Sequence, residues 1–384
     1  MSVRFVTREI GSLAKPPWRV KAFAGRRLEP ADIEHARSWA ERLGIAGHEE
    51  LAALLEGGSF GPDELRAIDD WAARYAIALL ERAGLDVVWD GEQRRTEMYD
   101  HVIRHARGFE ARGTVRSFDN KYYSKAACVG PPSVEAAYDV DEYSFVAAHT
   151  DRRPKAPFTG AYTLVDWSYD EQYAPAERVG AGRAAGADAR RRFVRDVAEH
   201  VVRPNVAGVV VAGAGWVQID EPAATTRPDE VPLVVEGFNI ALRGIDARAS
   251  LHICYSDYRC LWPHVLDLES CFELQLEFAN RDSRELGTRA EDRPGYAETL
   301  ALLARHGGPG IGLGVLDIHS NFIEPAELVR DRILYAVEAL GDPERVAVNP
   351  DCGLRTRPWE VTYEKLARMV EGARMAEAVL NRAA

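Results

Sequence analysis

The stretch WVQIDEP, residues 216–222, is a short apolar run that ends in two adjacent acids. A run of this length between helical segments is typical of a buried strand in a parallel sheet. The pattern recurs along the chain, and several of these runs end in polar or reactive residues. The predicted strands cover residues 4–12, 85–92, 156–164, 216–222, 250–256, 272–279, 311–319 and 346–352. This repetition indicates one architecture built from a strand-and-helix unit.

Apolar positions with helical spacing fill most of the intervals between these strands. The clearest predicted helices cover residues 62–84, 189–215, 294–307 and 324–341. Pro204 is expected to kink or break the second of them. Eight strands that alternate with helices predict an α/β fold. They favour a (β/α)8 TIM barrel rather than a doubly wound sheet. The carboxyl ends of barrel strands meet on one face, so the reactive residues at these ends are expected to meet there.

The whole chain, residues 1–384, is predicted to be a single catalytic barrel with excursions at about 18–75 and 100–155. The formal net charge of −12 gives no long-range attraction to nucleic acid or to an anionic membrane surface. The sequence shows no signal-peptide pattern and no apolar run long enough to span a membrane. We therefore expect a cytoplasmic enzyme whose five cysteines are buried thiols or metal ligands.

The stretch LHICYSDY, residues 251–258, carries a candidate metal site. Side chains two positions apart in a strand point to the same side, so His252 and Cys254 lie about 7 Å apart on one face. A histidine and a cysteine at this spacing are more often part of a core. Glu277 and Cys352 end two other predicted strands and complete a set that prefers zinc. The spacing alone supports a zinc site and a structural core about equally.

Eight stretches of the chain resemble a known family and follow one another in the family's order. They are REIGS (8–12), DGEQRRTEMYDH (90–101), TGAYTLVDWS (159–168), VQIDEPA (217–223), HICYSDY (252–258), LEFANRDS (276–283), GLGVLDIHS (312–320) and VNPDCGLRTR (348–357). In these stretches the chain resembles the catalytic C-terminal half of cobalamin-independent methionine synthase. The resemblance implies a (β/α)8 barrel in which zinc activates homocysteine, with His252, Cys254, Glu277 and Cys352 as the ligands.

The resemblance also implies how homocysteine is held and how the reaction is assisted. Ile10 and Ser12 fall on the loop that holds the amino acid. Glu92 and Asp220 fall on the acids that bind its ammonium group, which suits charge-assisted hydrogen bonding. His319 falls on the proposed general acid, and histidine titrates near neutral pH.

Other interpretations of three of these positions stay open. Asp220 and its neighbour Glu221 are also compatible with capping of a helix. Trp167, which the resemblance places against the methyl donor, is also compatible with simple packing. His319 is also compatible with a structural role.

Two positions depart from the family where it contacts folate. Ala127, in KAACVGPP, stands where the family has an arginine, and Thr226 stands where it has a glutamate. The N-terminal half that supports the folate polyglutamate tail is expected to be missing. We therefore expect a short methionine synthase whose methyl donor is a methylated corrinoid, either methylcobalamin or a corrinoid protein.

Three alternatives remain at this point. The first is the same reaction with methyltetrahydrofolate or its triglutamate form as the donor. The second is alkyl transfer to another thiol, such as coenzyme M. A sulfonate substrate would require arginines, so Glu92 and Asp220 favour an amino-acid thiol. The third is a non-catalytic zinc protein that binds a partner in one-carbon metabolism.

Overall fold

The computed structural model describes residues 2–116, 122–174 and 183–383, and side chains are described except at 183–185 and 383. Its strands, in chain order, are β1 (Val87–Val88), β2 (Ala106–Arg116), β3 (Tyr122–Val134), β4 (Arg153–Pro154), β5 (Ala156–Thr159), β6 (Tyr169–Asp170), β7 (Trp216–Asp220), β8 (Arg248–Ile253), β9 (Cys271–Leu276), β10 (Gly310–Gly314) and β11 (Val346–Asn349). The last five and β5 form one parallel sheet in the order β11-β10-β9-β8-β7-β5.

Short parallel contacts close this sheet into a ring. β4, which β5 almost directly continues, pairs with β1. Arg8 bridges to Val87 of β1, and Thr7 bridges to Val348 of β11. Eight segments therefore follow one another around a closed barrel, and the prediction of a (β/α)8 barrel is confirmed. The strands are shorter than predicted, and the strand predicted over residues 4–12 is reduced to the isolated bridges at Thr7 and Arg8.

The helices are α1 (Pro17–Phe23), α2 (Pro30–Leu43), α3 (His48–Gly57), α4 (Pro62–Ala83), α5 (Met98–His105), α6 (Val140–Ala148), α7 (Ala161–Asp166), α8 (Arg183–Val197), α9 (Arg203–Val211), α10 (Val231–Leu242), α11 (Pro294–His306), α12 (Ala326–Leu340) and α13 (Trp359–Ala383). α4, α11 and α12 match three predicted helices to within two residues at each end. None of the helices in the described ranges is both long and apolar enough to cross a bilayer.

Two predicted elements were wrong in detail. The strand predicted over 156–164 ends at Thr159, and residues from Ala161 onward form α7. The helix predicted over 189–215 ends at Val211. A π-helical turn at Ala198–Val202 separates α8 from α9 directly before Arg203 and Pro204. The regular α-helix is therefore interrupted next to Pro204, as expected for a proline inside a helix.

The excursion at 18–75 is helical and shares an aromatic core with the last helix. The rings of Trp39 and Trp359 are 5.4 Å apart, and those of Trp18 and Tyr75 are 5.7 Å apart. The excursion at 100–155 contains the antiparallel pair β2 and β3 and helix α6. Most of β2 is exposed, so this hairpin extends outward from the barrel.

Asp86 ties the first barrel segment to α13, and its loss is expected to destabilise the fold. One carboxylate oxygen, Oδ2, accepts from Thr7 N at 3.0 Å, Thr7 Oγ1 at 2.9 Å and Arg374 Nη2 at 2.9 Å. Burial alone would raise the pKa of Asp86, but these hydrogen bonds lower it overall. A lowered pKa means that this stabilisation is present at neutral pH and is lost as the pH falls below about 4.

We expect Asp86→Asn to lower the free energy of unfolding by about 1.5–3 kcal/mol at pH 7, measured by urea denaturation. The difference from the wild type should shrink as the pH falls below about 4. Glu371→Gln is the control, because Glu371 pairs with Arg368 on the exposed side of α13 and should change stability by less than about 1 kcal/mol. An equal loss in both variants would contradict the role given to Asp86.

Candidate metal centre and thiol-binding site

Three of the four predicted zinc ligands lie together at the carboxyl ends of the barrel strands. The ligand atoms of His252, Cys254 and Cys352 are all within 4.8 Å of one another. His252 is on β8, Cys254 follows the end of that strand, and Cys352 follows β11. His252 is buried, and the two cysteines are half-buried and not in disulfides.

The two ring nitrogens of His252 have different surroundings. Nδ1 lies 3.1 Å from the carbonyl oxygen of Gln275. If Nδ1 carries the proton for this contact, the lone pair is on Nε2. Nε2 is buried, lies near the Cys352 thiol and makes no hydrogen bond of normal geometry in the described part of the chain. A buried, unpartnered imidazole nitrogen beside two cysteines fits a metal ion, because such groups are normally satisfied.

The two thiols favour a cation between them. Contact with Cys254, together with burial, raises the pKa of Cys352 well above its ordinary value. Without a metal, the Cys352 thiol therefore retains its proton at neutral pH. A bound dication reverses this preference, because a coordinating thiol is deprotonated. One histidine and two cysteines also form the protein ligand set of one known kind of catalytic zinc site.

Glu277 lies beside these three residues but has other partners. Its Oε1 is 2.9 Å from His319 Nε2, and its Oε2 accepts from the backbone N–H of Tyr255 at 2.5 Å. Its own N–H donates to the hydroxyl of Tyr258 at 2.8 Å. The carboxylate is buried and is held in place by one side chain and one backbone group. Glu277 is therefore outside the set of three mutually close donors.

His319 lies on a loop that is fixed from two directions. Asp317 Oδ1 accepts from His319 N at 2.8 Å. Lys365, buried on α13, donates to the carbonyl of Asp317 at 2.8 Å and pairs with Glu324 at 2.8 Å. The hydrogen bond to Glu277 raises the pKa of His319. The ring is 39% exposed, so His319 combines a held position with access from solvent.

The candidate amino-acid pocket contains the four residues predicted to bind the substrate, which are Ile10, Ser12, Glu92 and Asp220. A methyl group on Gly11 would lie 2.9 Å from Glu92 Oε1, and one on Gly353 would lie 2.7 Å from Ser12 Oγ. The Ile10–Ser12 loop thus packs between the Glu92 carboxylate and the turn after Cys352. Asp220 interacts electrostatically with both His252 and Glu92, and burial raises its pKa to about 6.

Glu92 and Tyr255 share an unusual backbone conformation. They are the non-glycine residues with positive φ in the described ranges, at 55° and 57°. Such conformations are strained and concentrate at functional sites. Glu92 is the predicted ammonium ligand, and Tyr255 follows Cys254 directly. Both strained positions therefore lie beside the candidate site.

Asp220 and Glu221 have separate roles, although the sequence places them side by side. Glu221 accepts from the N–H groups of Tyr162 at 3.0 Å and Thr163 at 2.7 Å. These amides begin α7, so Glu221 is the residue that caps a helix. Burial raises the pKa of Glu221 to about 7. The cap lies on α7, the helix after β5, and Asp220 remains available to the pocket.

Trp167, the predicted methyl-donor contact, directly follows α7, and its ring lies 6.2 Å from that of Tyr99.

The two positions that depart from the family have small side chains. Ala127 is buried in β3, opposite Glu110. Thr226 donates to Ala223 O at 2.8 Å and contacts Asp166 at 3.2 Å. At Ala127 and Thr226, therefore, no long polar side chain extends from the protein toward a ligand.

A second cluster of possible ligands needs no metal. His101, Asp139 and Glu142 also lie within 4.8 Å of one another. The buried guanidinium of Arg95 lies 2.6 Å from Glu142 and 3.5 Å from Asp139. An internal cation therefore already balances these acids.

Comparison with known proteins decides the family. The sequence profile described as "Cobalamin-independent synthase, Catalytic domain" matches residues 55–375. The chain is 36% identical over 377 residues to the methionine synthase of Thermoplasma acidophilum, covering 95% of this chain and 96% of that protein. The chain belongs to the cobalamin-independent methionine synthase family. A Thermoplasma volcanium methionine synthase is 37% identical over 320 residues, covering 81% and 89% of the two chains.

Solved structures agree with the fold of this family. A B12-independent methionine synthase from Shewanella sp. W3-18-1, in complex with selenomethionine, superposes with a TM-score of 0.74 at 22% identity, covering 98% and 99% of the two chains. A putative vitamin-B12 independent methionine synthase from Listeria monocytogenes gives a TM-score of 0.63 at 18% identity, covering 98% of each chain. The chain is a methyltransferase of the methionine synthase family.

Sequence reasoning missed three polar residues beside or below the site. Lys15 donates to the carbonyl of Glu92 at 2.6 Å, and burial lowers its pKa to about 8. Lys155 and Gln218 lie inside the barrel, where they contact the Ile10 loop. A lysine and a glutamine at interior strand positions are a usable signal, because such groups are seldom buried without polar partners.

Proposed function

We propose that the protein is a zinc-dependent homocysteine S-methyltransferase that makes methionine. The supporting observation is the cluster of His252, Cys254 and Cys352, with an unpartnered imidazole nitrogen, next to the acids Glu92 and Asp220. Bound zinc would supply a Lewis acid that lowers the pKa of the substrate thiol from about 8.5. The resemblance to the family implies zinc at this position, in agreement with the donor set.

We propose Glu277 as the fourth zinc ligand, the one that gives way when the substrate thiol binds. The support is its position beside the three donors and its present partners. Tyr255 N and His319 Nε2 hold the carboxylate where it lies. These two contacts would stabilise the carboxylate when it is not bound to zinc.

The acids define the class of thiol. Glu92 and Asp220 present negative charge, which suits an α-ammonium group and opposes a sulfonate. The Ile10–Ser12 loop would face the carboxylate end of the amino acid. This arrangement supports homocysteine over coenzyme M. His319, held by Glu277, would donate a proton to the leaving group of the methyl donor.

We expect Asp220→Asn to raise the KM for homocysteine about 10–100-fold, because a hydrogen bond to a charged group contributes about 1.5–3 kcal/mol. Zinc content should not change. The matched control is Glu221→Gln, which alters the adjacent acid that caps α7 and should leave this KM within about twofold. Initial-rate kinetics and metal analysis provide both measurements. An unchanged KM in Asp220→Asn would remove Asp220 from the pocket.

Two different methyl donors each have an observation that supports them. Ala127 is fully buried and Thr226 bonds within the protein, so two folate contacts of the family are missing, which supports a methylated corrinoid. The description of the family and the titles of the solved neighbours name cobalamin-independent enzymes, which supports a methyltetrahydrofolate donor. We retain the corrinoid, free or on a partner protein, as the proposed donor and the folate as its alternative.

Methionine formation from homocysteine by the zinc-loaded protein tests the proposal. One reaction contains methylcobalamin, and two others contain methyltetrahydrofolate as the mono- and triglutamate. Activity with the corrinoid alone supports the proposed donor. Activity with a folate overturns that donor and keeps the reaction. Alkylation of coenzyme M in place of homocysteine would overturn the substrate.

A further inference from the structure

Lys155 lies at the centre of a buried polar network below the candidate pocket. Its side chain is 3% exposed. The ammonium donates to Glu9 O, Ile10 O and Gln218 Oε1, each at 2.7 Å. These three contacts use all three of its hydrogens. The Glu9 carboxylate, 3.7 Å away, supplies the opposite charge.

The ammonium determines which way the amide of Gln218 points. An ammonium group cannot accept a hydrogen bond, so the carbonyl of Gln218 must face Lys155. The amide NH2 then faces the other way, where Nε2 donates to Ile10 O and to Asp220 Oδ1, each at 2.7 Å. Lys155 thus fixes the orientation of the Gln218 amide, because the ammonium group can only donate hydrogen bonds.

Both ends of the network reach the proposed pocket. Ile10 O accepts from Lys155 and from Gln218, which anchors the loop that continues to Ser12. Asp220 Oδ1 accepts from Gln218, which orients the carboxylate and leaves acceptor sites for a ligand. A carboxylate that is already held in place loses little conformational entropy when it binds an ammonium group.

We propose that Lys155 and Gln218 are positioning residues that fix the Asp220 carboxylate and the Ile10 loop in the geometry that receives the amino-acid head of the thiol substrate. The proposal rests on the proposed function, in which Asp220 binds the substrate ammonium. Neither residue touches the substrate. Their effect is on recognition of the ammonium group and not on the reacting sulfur.

Gln218→Met tests this role, because methionine fills a similar volume and donates no hydrogen bond. Two thiols are titrated into the zinc-loaded protein by calorimetry: homocysteine, and 4-mercaptobutyrate, which lacks the ammonium group. We expect the affinity for homocysteine to fall about tenfold and zinc content to be unchanged. The affinity for 4-mercaptobutyrate should stay within about twofold, because Lys155 still holds Ile10 O and with it the loop that faces the substrate carboxylate. In steady-state assays the KM for homocysteine should rise with little change in kcat.

Ser250→Ala is the matched control. Ser250 pairs in register with Gln218, is buried, and donates to Val217 O at 3.3 Å. Its replacement removes a polar group at the same level of the barrel without touching Ile10 or Asp220. Both affinities should stay within about twofold of the wild type.

A second variant keeps the proposal testable if Gln218→Met folds poorly. Gln218→Leu also removes the donor to Asp220 and adds no charge beside it, so the same selective loss is expected. Equal weakening of both thiols, or unchanged homocysteine affinity, would overturn the positioning role. Failure of the wild type to bind homocysteine would instead overturn the proposed function, so the two failures are distinguishable.

Discussion

Cys352→Ser and His252→Ala are each expected to lose bound zinc and, with it, all methyl transfer to homocysteine. Both residues belong to the cluster whose ligand atoms lie within 4.8 Å of one another. Changes to residues that merely support metal ligands already cost about 10–100-fold in affinity, so removal of a ligand should cost more than about 100-fold. Metal analysis after dialysis, with a chelator competition for affinity, measures this loss.

Cys260→Ser is the control for the cysteine variant. Cys260 is half-buried, and its sulfur contacts Asp257 O at 3.1 Å. It lies outside the three-residue cluster, so zinc content should stay at the wild-type level. Full zinc retention by both Cys352→Ser and His252→Ala would contradict the proposed ligand set.

His319→Asn is expected to lower kcat about 100- to 1,000-fold, in the range of general acid catalysis. Asparagine keeps a hydrogen-bond donor toward Glu277 but cannot deliver a proton near neutral pH. Zinc content and homocysteine affinity should therefore remain. Rapid-quench measurement of methionine formation, beside a calorimetric titration of homocysteine, separates chemistry from binding.

His306→Asn provides the comparison, because His306 ends α11 in an exposed position away from the described contacts of the site. Its kcat should match that of the wild type. Loss of zinc in His319→Asn would show that His319 supports the metal through Glu277, and the role of proton donor would then be wrong.

The barrel could be predicted because its signal is local and repeated. Most of the apolar runs form a strand, and parallel strands bring their carboxyl ends to one face. This reasoning predicts that His252 and Cys254 lie near Cys352, which is distant from them in the chain, but it supports a zinc site and a core about equally. The roles given to Glu92, Ser12 and Asp220 follow from the resemblance to the family and stay predictions.

The remaining details depend on contacts that a sequence pattern does not encode. Glu277 faces His319 and the backbone N–H of Tyr255. Tyr255 adopts a left-handed conformation for which its sequence gives no cue. The amide of Gln218 is oriented by Lys155, which lies 63 positions away in sequence. Adjacent acids such as Asp220 and Glu221 cannot be told apart without knowing that α7 begins beside one of them.

Zinc X-ray absorption on the metal-loaded protein, with and without homocysteine, tests the central claim most directly. The account predicts that homocysteine adds one sulfur to the zinc coordination shell and removes one lighter ligand, with Glu277 as the candidate. The matched sample contains homoserine, which offers a hydroxyl in place of the thiol and should leave the sulfur count unchanged. A coordination shell that homocysteine also leaves unchanged would contradict the account and would favour a closed, non-catalytic zinc site.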